Sequence, residues 1–136
     1  MKKSVTYVVS VVTMITTSIA LGFLFNVIFP SVKTEYENQS LYRPWEDPLM
    51  YLYFLQPFIL TAALIWGWNK VKGLFNGTIV QNSFNFSLIY FFVAIVPGMI
   101  MTVSSFKVSL LAIVTWTISA FFQVYFPSLI FIRANK

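Results

Sequence analysis

The chain of 136 residues contains no cysteine and no histidine, and only four of its residues are acidic. Without cysteine there is no disulfide, no thiol redox chemistry and no thiolate metal site. Without histidine there is no imidazole ligand, no axial haem histidine and no imidazole general base. A Ser-His-Asp hydrolase and a zinc site built on His or Cys are therefore excluded. Charge is scarce as well, at 10% of residues against roughly 25% in an ordinary soluble domain.

Apolar bulk takes the place of what is missing: 58% of the residues are hydrophobic and 19% aromatic. A soluble domain of ~150 residues leaves about 30% of its unfolded-chain surface in water, which is too much for this composition to tolerate. The charges leave four charge-free windows: 29 residues from Ser4 to Val32, 22 from Pro48 to Asn69, 34 from Gly73 to Phe106 and 25 from Val108 to Ile132. Each can hold the ~20 apolar residues that cross a ~30 Å hydrocarbon core. The pattern predicts an all-α integral membrane protein, with four transmembrane helices in an antiparallel up-down bundle. Residues 1–136 form a single membrane domain with spans at about 5–29, 48–69, 84–103 and 108–131, an outer loop at 30–47 and a cytoplasmic loop at 70–83.

Met1-Lys2-Lys3 followed by an apolar run and Ser18-Ile19-Ala20 imitates a secretory leader. The run continues through Phe29, past the usual 7 to 15 residues of such a leader, so it is read as the first span. Asp47-Pro48 has the signature of a helix start, with Asp as cap, Pro at the first helical position and Glu46 beside the positive end of the dipole. Tyr42 and Trp45, and Trp66 and Trp68 at the other end, fit interfacial aromatic belts. Asn76-Gly77 marks a turn, and the four residues Ser104 to Lys107 make the last two spans antiparallel neighbours.

Six basic residues (Lys2, Lys3, Lys70, Lys72, Arg133, Lys136) flank one side of the expected membrane, and three (Lys33, Arg43, Lys107) flank the other. The positive-inside rule then expects both termini in the cytoplasm, with the plasma (inner) membrane as the site. The net charge of +5 is spread over these flanks without a further basic cluster, so no nucleic-acid partner is expected. Asn38, Asn76 and Asn85 open N-x-[ST] patterns, of which only Asn38 is expected outside.

At 100° per residue each span carries one small or polar stripe, expected to be where helices meet. The stripes are Thr6, Ser10, Thr13 and Thr17; Tyr53, Gln56, Ala63 and Gly67; Ser87, Ala94, Gly98, Thr102 and Ser105; and Ser109, Ala112, Trp116, Ser119, Ala120 and Gln123. Kinks are expected at Pro57, at Pro97 with Gly98, and at Pro127. Thr13, Thr17, Gln56, Ser119 and Gln123 form a candidate polar layer near mid-membrane, with Gln56 beside a kink at its centre.

Glu35, Glu37, Glu46 and Asp47 all fall in the outer loop and offer oxygen ligands of the kind Ca²⁺ takes. Local roles explain them better: Asp47 as cap, Glu46 with the dipole and Arg43, Glu35 and Glu37 in solvent. No metal or cofactor is expected. Arg43 and Trp45, with Glu46 and Asp47, make a candidate outer interface. With no acid inside any span, a buried carboxylate for proton coupling is absent. The expected function is non-enzymatic association, as an accessory or scaffold subunit or a homo-oligomer whose partners are the lipid bilayer, another membrane protein or a second copy. The alternative is a small channel or carrier for a neutral or weakly polar solute, through a Gln56-centred cavity.

Overall fold

A computed structural model describes residues 2–38 and 40–135. Six α-helices follow one another: α1 (Lys3–Ile28), α2 (Pro30–Tyr36), α3 (Tyr51–Val71), α4 (Ile79–Tyr90), α5 (Val96–Ser105) and α6 (Leu110–Ala134). A 3-10 turn, Pro48–Met50, leads into α3 and another, Lys72–Leu74, leaves it. α4 and α5 are joined by a π-helical turn, Phe91–Ile95, into one continuous rod. Four segments are thus long and apolar enough to cross a membrane: Lys3–Ile28, Pro48–Leu74, Ile79–Ser105 and Leu110–Ala134.

Local chemistry sets the boundaries. Asp47 Oδ1 accepts the Leu49 N–H at 2.8 Å, so the expected start at Asp47-Pro48 is present, as a 3-10 turn before α3. The third rod begins at Ile79 and not at Phe84. Thr78 and Gln81 form a capping box, each side chain meeting the other's backbone N–H, and this supplies a helix start right after the Asn76-Gly77 turn. Ser109 caps α6 by accepting from the Ala112 N–H at 3.1 Å.

Proline shapes the third rod differently from the simple kink expected. Pro97 has no N–H, and in a regular helix its ring would press on the Val93 carbonyl. The π turn immediately before it widens the ladder, and the Val96 N–H bonds back to the Phe91 carbonyl. Pro57 and Pro127 lie inside α3 and α6.

α1 packs chiefly on α6 and next on α3, while α4 packs on α6. One of the expected stripes is a buried seam, and a second seam forms at residues outside the α6 stripe. On α1, Thr6, Ser10 and Thr17 are buried. Between α4 and α6, the fully buried Ser87 and Ser128 approach with their Oγ atoms 3.4 Å apart. Thr61 Oγ1 reaches Met14 Sδ at 3.7 Å across the α1–α3 seam. An apolar cluster of Met14, Leu64, Trp68, Phe86, Val124 and Phe131 closes one end of the interior, with Phe86 meeting Trp68 and Phe131 edge-on at 5.6 and 6.0 Å.

The other three expected packing faces are corrected. On α6 only Ala112 of the stripe is buried, Ser109 is exposed, and Trp116, Ser119 and Gln123 line a cavity. On α3, Tyr53, Gln56 and Ala63 are exposed, and the buried face is Thr61, Leu64 and Trp68. On the third rod, Ala94 and Gly98 are exposed, and a Cβ added at Gly98 meets nothing within 4 Å. The seam there uses Asn82, Ser83, Phe86 and Ser87, one to three turns nearer the start of α4.

Candidate functional site

The residues that the packing leaves uncovered on α3 and α6 face a common space. A cavity of about 1060 Å³ lies between α1, α3 and α6, under the chain that links α1 to α3. Three residues of the expected polar layer line it together: Gln56 from α3, and Ser119 and Gln123 from α6. α1 adds Ser18, Gly22 and Asn26. The other two expected members do not join them. Thr13 is half-buried, its Oγ1 donating to the Val9 carbonyl of its own helix at 2.8 Å, and Thr17 is buried on the packed side of α1.

Gln56 is exposed in the protein and, among the described residues, has no hydrogen-bond partner. The carbonyl beside Pro57 that is taken by another helix is that of Phe58, which accepts from Tyr7 Oη at 3.0 Å. The Gln56 amide, which lines the cavity, has two donors and an acceptor that no described residue takes. On all three helices the cavity residues occupy one end and the apolar cluster the other: 18–26 against Met14 on α1, 50–56 against Leu64 and Trp68 on α3, 116–123 against Val124 and Phe131 on α6. The cavity thus occupies a different stretch of the same three helices from the apolar cluster.

Its roof is built by the 30–50 segment. α2 is tied to the start of α6 by Glu35, whose carboxylate oxygens accept from the Ser109 N–H at 2.8 Å and the Ser109 Oγ at 2.5 Å. Glu35 is therefore not the solvated acid expected from the sequence; it satisfies a free donor at a helix N-terminus and faces the positive end of the dipole. Two helical turns further along, in α6, Trp116 Nε1 donates to Tyr36 Oη. Tyr36, Tyr42 and Trp116 form a three-membered aromatic group with ring centroids 5.5 to 6.2 Å apart. A second group sits on the α3 side, where Trp45 meets Tyr53 edge-on at 6.2 Å.

Of the expected outer interface, Arg43, Trp45 and Glu46 line the cavity. Arg43 pairs with Asp47 at 2.8 Å, and not with Glu46. The Leu49 N–H and then Arg43 hold the Asp47 carboxyl below the usual carboxylate range. Burial in the roof, and next the nearby Glu35 charge, push the Tyr42 phenol up to about 12. Its Oη is closed off from solvent and has no hydrogen-bond partner among the described residues. Since the folded protein retains this proton longer than the unfolded chain does, Tyr42 favours folding at neutral pH. That contribution is lost as pH rises from about 10 through about 12. A tyrosinate absorbance titration should show a step near pH 12 that Tyr42→Phe removes.

Asn26, Tyr36, Tyr42, Tyr53 and Trp116 were not singled out as site residues by the sequence. Trp116 stood in the α6 stripe with Ser119 and Gln123, and that shared face was the available signal. Comparison with protein-family models, with curated proteins and with solved structures finds no match to this chain.

Proposed function

We propose that the protein is a non-enzymatic integral membrane protein of four antiparallel spans, with both termini cytoplasmic, that binds a small, weakly polar solute from the outer side as a carrier does. One observation carries the reading: Gln56, Ser119 and Gln123, from two different helices, line a single cavity. Amides and hydroxyls bind a solute without transforming it, and a pocket of apolar and aromatic walls with a few convergent polar groups is the usual form of a small-molecule site.

The membrane part of the proposal is supported by the outer face of the helices. In their most apolar windows only 17 to 28% of each spanning segment is buried inside the protein, and side chains such as Phe23, Val93 and Met101 stand about 70% exposed. Lipid covers such a surface at no cost and water does not. The six-to-three basic asymmetry supports an outer position for the cavity mouth, beside residues 33–46. The buried Met14, Leu64 and Val124 cluster, which lies beyond the cavity residues on the same helices, favours a binding vestibule of carrier type over an open channel.

Titration of the full chain in an uncharged detergent with N-benzylacetamide, which carries one aromatic ring and one amide, tests the reading. Raised thermal stability that saturates with probe concentration is expected. An unchanged melting temperature at every concentration would contradict it. A second reading, association through α5, is favoured by the open face at Ala94 and Gly98, where a second helix meets no obstacle.

A further inference from the structure

The roof of the cavity differs in charge from the rest of the chain. All four acids of a protein of net charge +5 lie between Glu35 and Asp47. Asp47 is paired with Arg43 and Glu35 is held by Ser109. Glu37 and Glu46 remain at the cavity lining with Lys33, and none of these three has an ion-pair partner among the described residues. The unpaired charge at the mouth is therefore net negative. Beneath it the lining has no charged group: the polar side chains there are amides and hydroxyls.

Around the same mouth stand Tyr36, Tyr42, Trp45, Tyr53 and Trp116. Aromatic faces carry negative potential, and cages of Trp and Tyr are the common recognition device for ammonium groups. An anion at this position meets carboxylates and π faces together. A cation meets both favourably, in a cleft that focuses the field of the acids. Trp45 is the most available of the group at 69% exposure, standing edge-on to Tyr53.

We propose that the mouth of the cavity, at Trp45, Tyr53, Glu37 and Glu46, binds an organic ammonium group, whose uncharged body reaches down toward Gln56 and Gln123. The proposal rests on the solute-binding reading and names the class of solute. A charged group beside Gln56 has no counter-ion, so the charge belongs at the mouth and the weakly polar part belongs below it. The same ammonium chemistry occurs in free amines and quaternary ammonium compounds and in choline headgroups of lipids.

The test uses the full chain in an uncharged detergent and three probes of matched shape: benzyltrimethylammonium, its neutral isostere neopentylbenzene, and the anion benzenesulfonate. Quenching of tryptophan fluorescence and thermal stabilisation report binding. The cation should bind about tenfold more tightly than the isostere, and benzenesulfonate should not compete. Trp45→Ala and Glu46→Gln, both at exposed positions, should each weaken the cation severalfold and bring its affinity toward that of the isostere. Equal binding of cation and isostere, or competition by the anion, would overturn the proposal. If N-benzylacetamide binding persists and depends on Gln56 in that case, the solute cavity stands and only the ammonium class falls. If no probe binds to folded protein, both fall. In vesicles of an uncharged galactolipid, which attracts no cation to its surface, weaker probe binding once phosphatidylcholine is mixed in supports the proposal and identifies the headgroup as occupant. Equal binding of the cation in both, with the isostere excluded, supports it with a free ammonium compound.

Discussion

Gln56→Leu should weaken N-benzylacetamide binding about tenfold and leave the melting temperature of the free protein unchanged. The side chain has no hydrogen-bond partner among the described residues, so its removal breaks no described contact between the helices. It also places an apolar isobutyl group where a solute amide would sit, and one lost hydrogen bond of ~1.4 kcal/mol is tenfold in affinity. Gln123→Leu, which lines the same cavity from α6, should act in the same direction with a smaller effect, since Gln123 is half-buried. Thr13→Val is the control: Thr13 bonds its own helix and does not line the cavity, so binding should be unaffected. Isothermal titration of the three variants checks the set. A Gln56→Leu variant that melts well below the parent would show that Gln56 is an interhelical contact after all.

Ser128→Leu should be the most damaging single change in the scaffold. Ser128 is fully buried at the α4–α6 seam, 3.4 Å from Ser87 Oγ, with its own Oγ donating to the Tyr125 carbonyl at 2.7 Å. Forcing a leucine there separates the two helices at their closest approach, and overpacking of a tight interior costs about 1 to 3 kcal/mol or more. Gly98→Leu makes the same kind of increase in bulk on an open face. Thermal unfolding in detergent should therefore show a fall of several degrees for Ser128→Leu and almost none for Gly98→Leu in the monomer. Loss of self-association by Gly98→Leu, with the monomer's stability intact, would instead favour the association reading.

The four helices were legible because charge is so expensive inside a membrane that thirteen charged residues could not avoid marking the gaps between spans. Helix ends were legible where the cap was recognised, as at Asp47, and misplaced where it was overlooked. Thr78 and Gln81 are a capping box in plain sequence, and the expected start at Phe84 ignored it. Helix faces were harder. On α1 the polar stripe is the packing face, but on α3 Gln56 and Tyr53 are exposed, because small and polar residues serve a helix seam and a wet cavity equally well. Periodicity identifies such a stripe without saying what it meets. Gly98 was misread for the same reason, since a small residue permits close approach without requiring it.

The candidate site was half legible. Gln56, Ser119 and Gln123 share a depth and were grouped by it, and the structure brings them to one cavity. The roof was not legible, because it depends on contacts between residues 74 and 80 positions apart: Glu35 with Ser109 and Tyr36 with Trp116. Nothing local in a loop sequence distinguishes a carboxylate that caps a distant helix from one in solvent.

The central claim is that Gln56 lines a cavity reached from the outer side of a membrane. Because the chain has no cysteine, single variants report one position each without background. Gln56→Cys, Ser40→Cys and Asn76→Cys would be placed in sealed vesicles of known orientation and treated from outside with a membrane-impermeant maleimide. The account predicts rapid labelling at 40, slower but complete labelling at 56, and none at 76 until the vesicles are opened. A Gln56→Cys variant that stays unlabelled from both sides, or is labelled only from the side of Asn76→Cys, contradicts it.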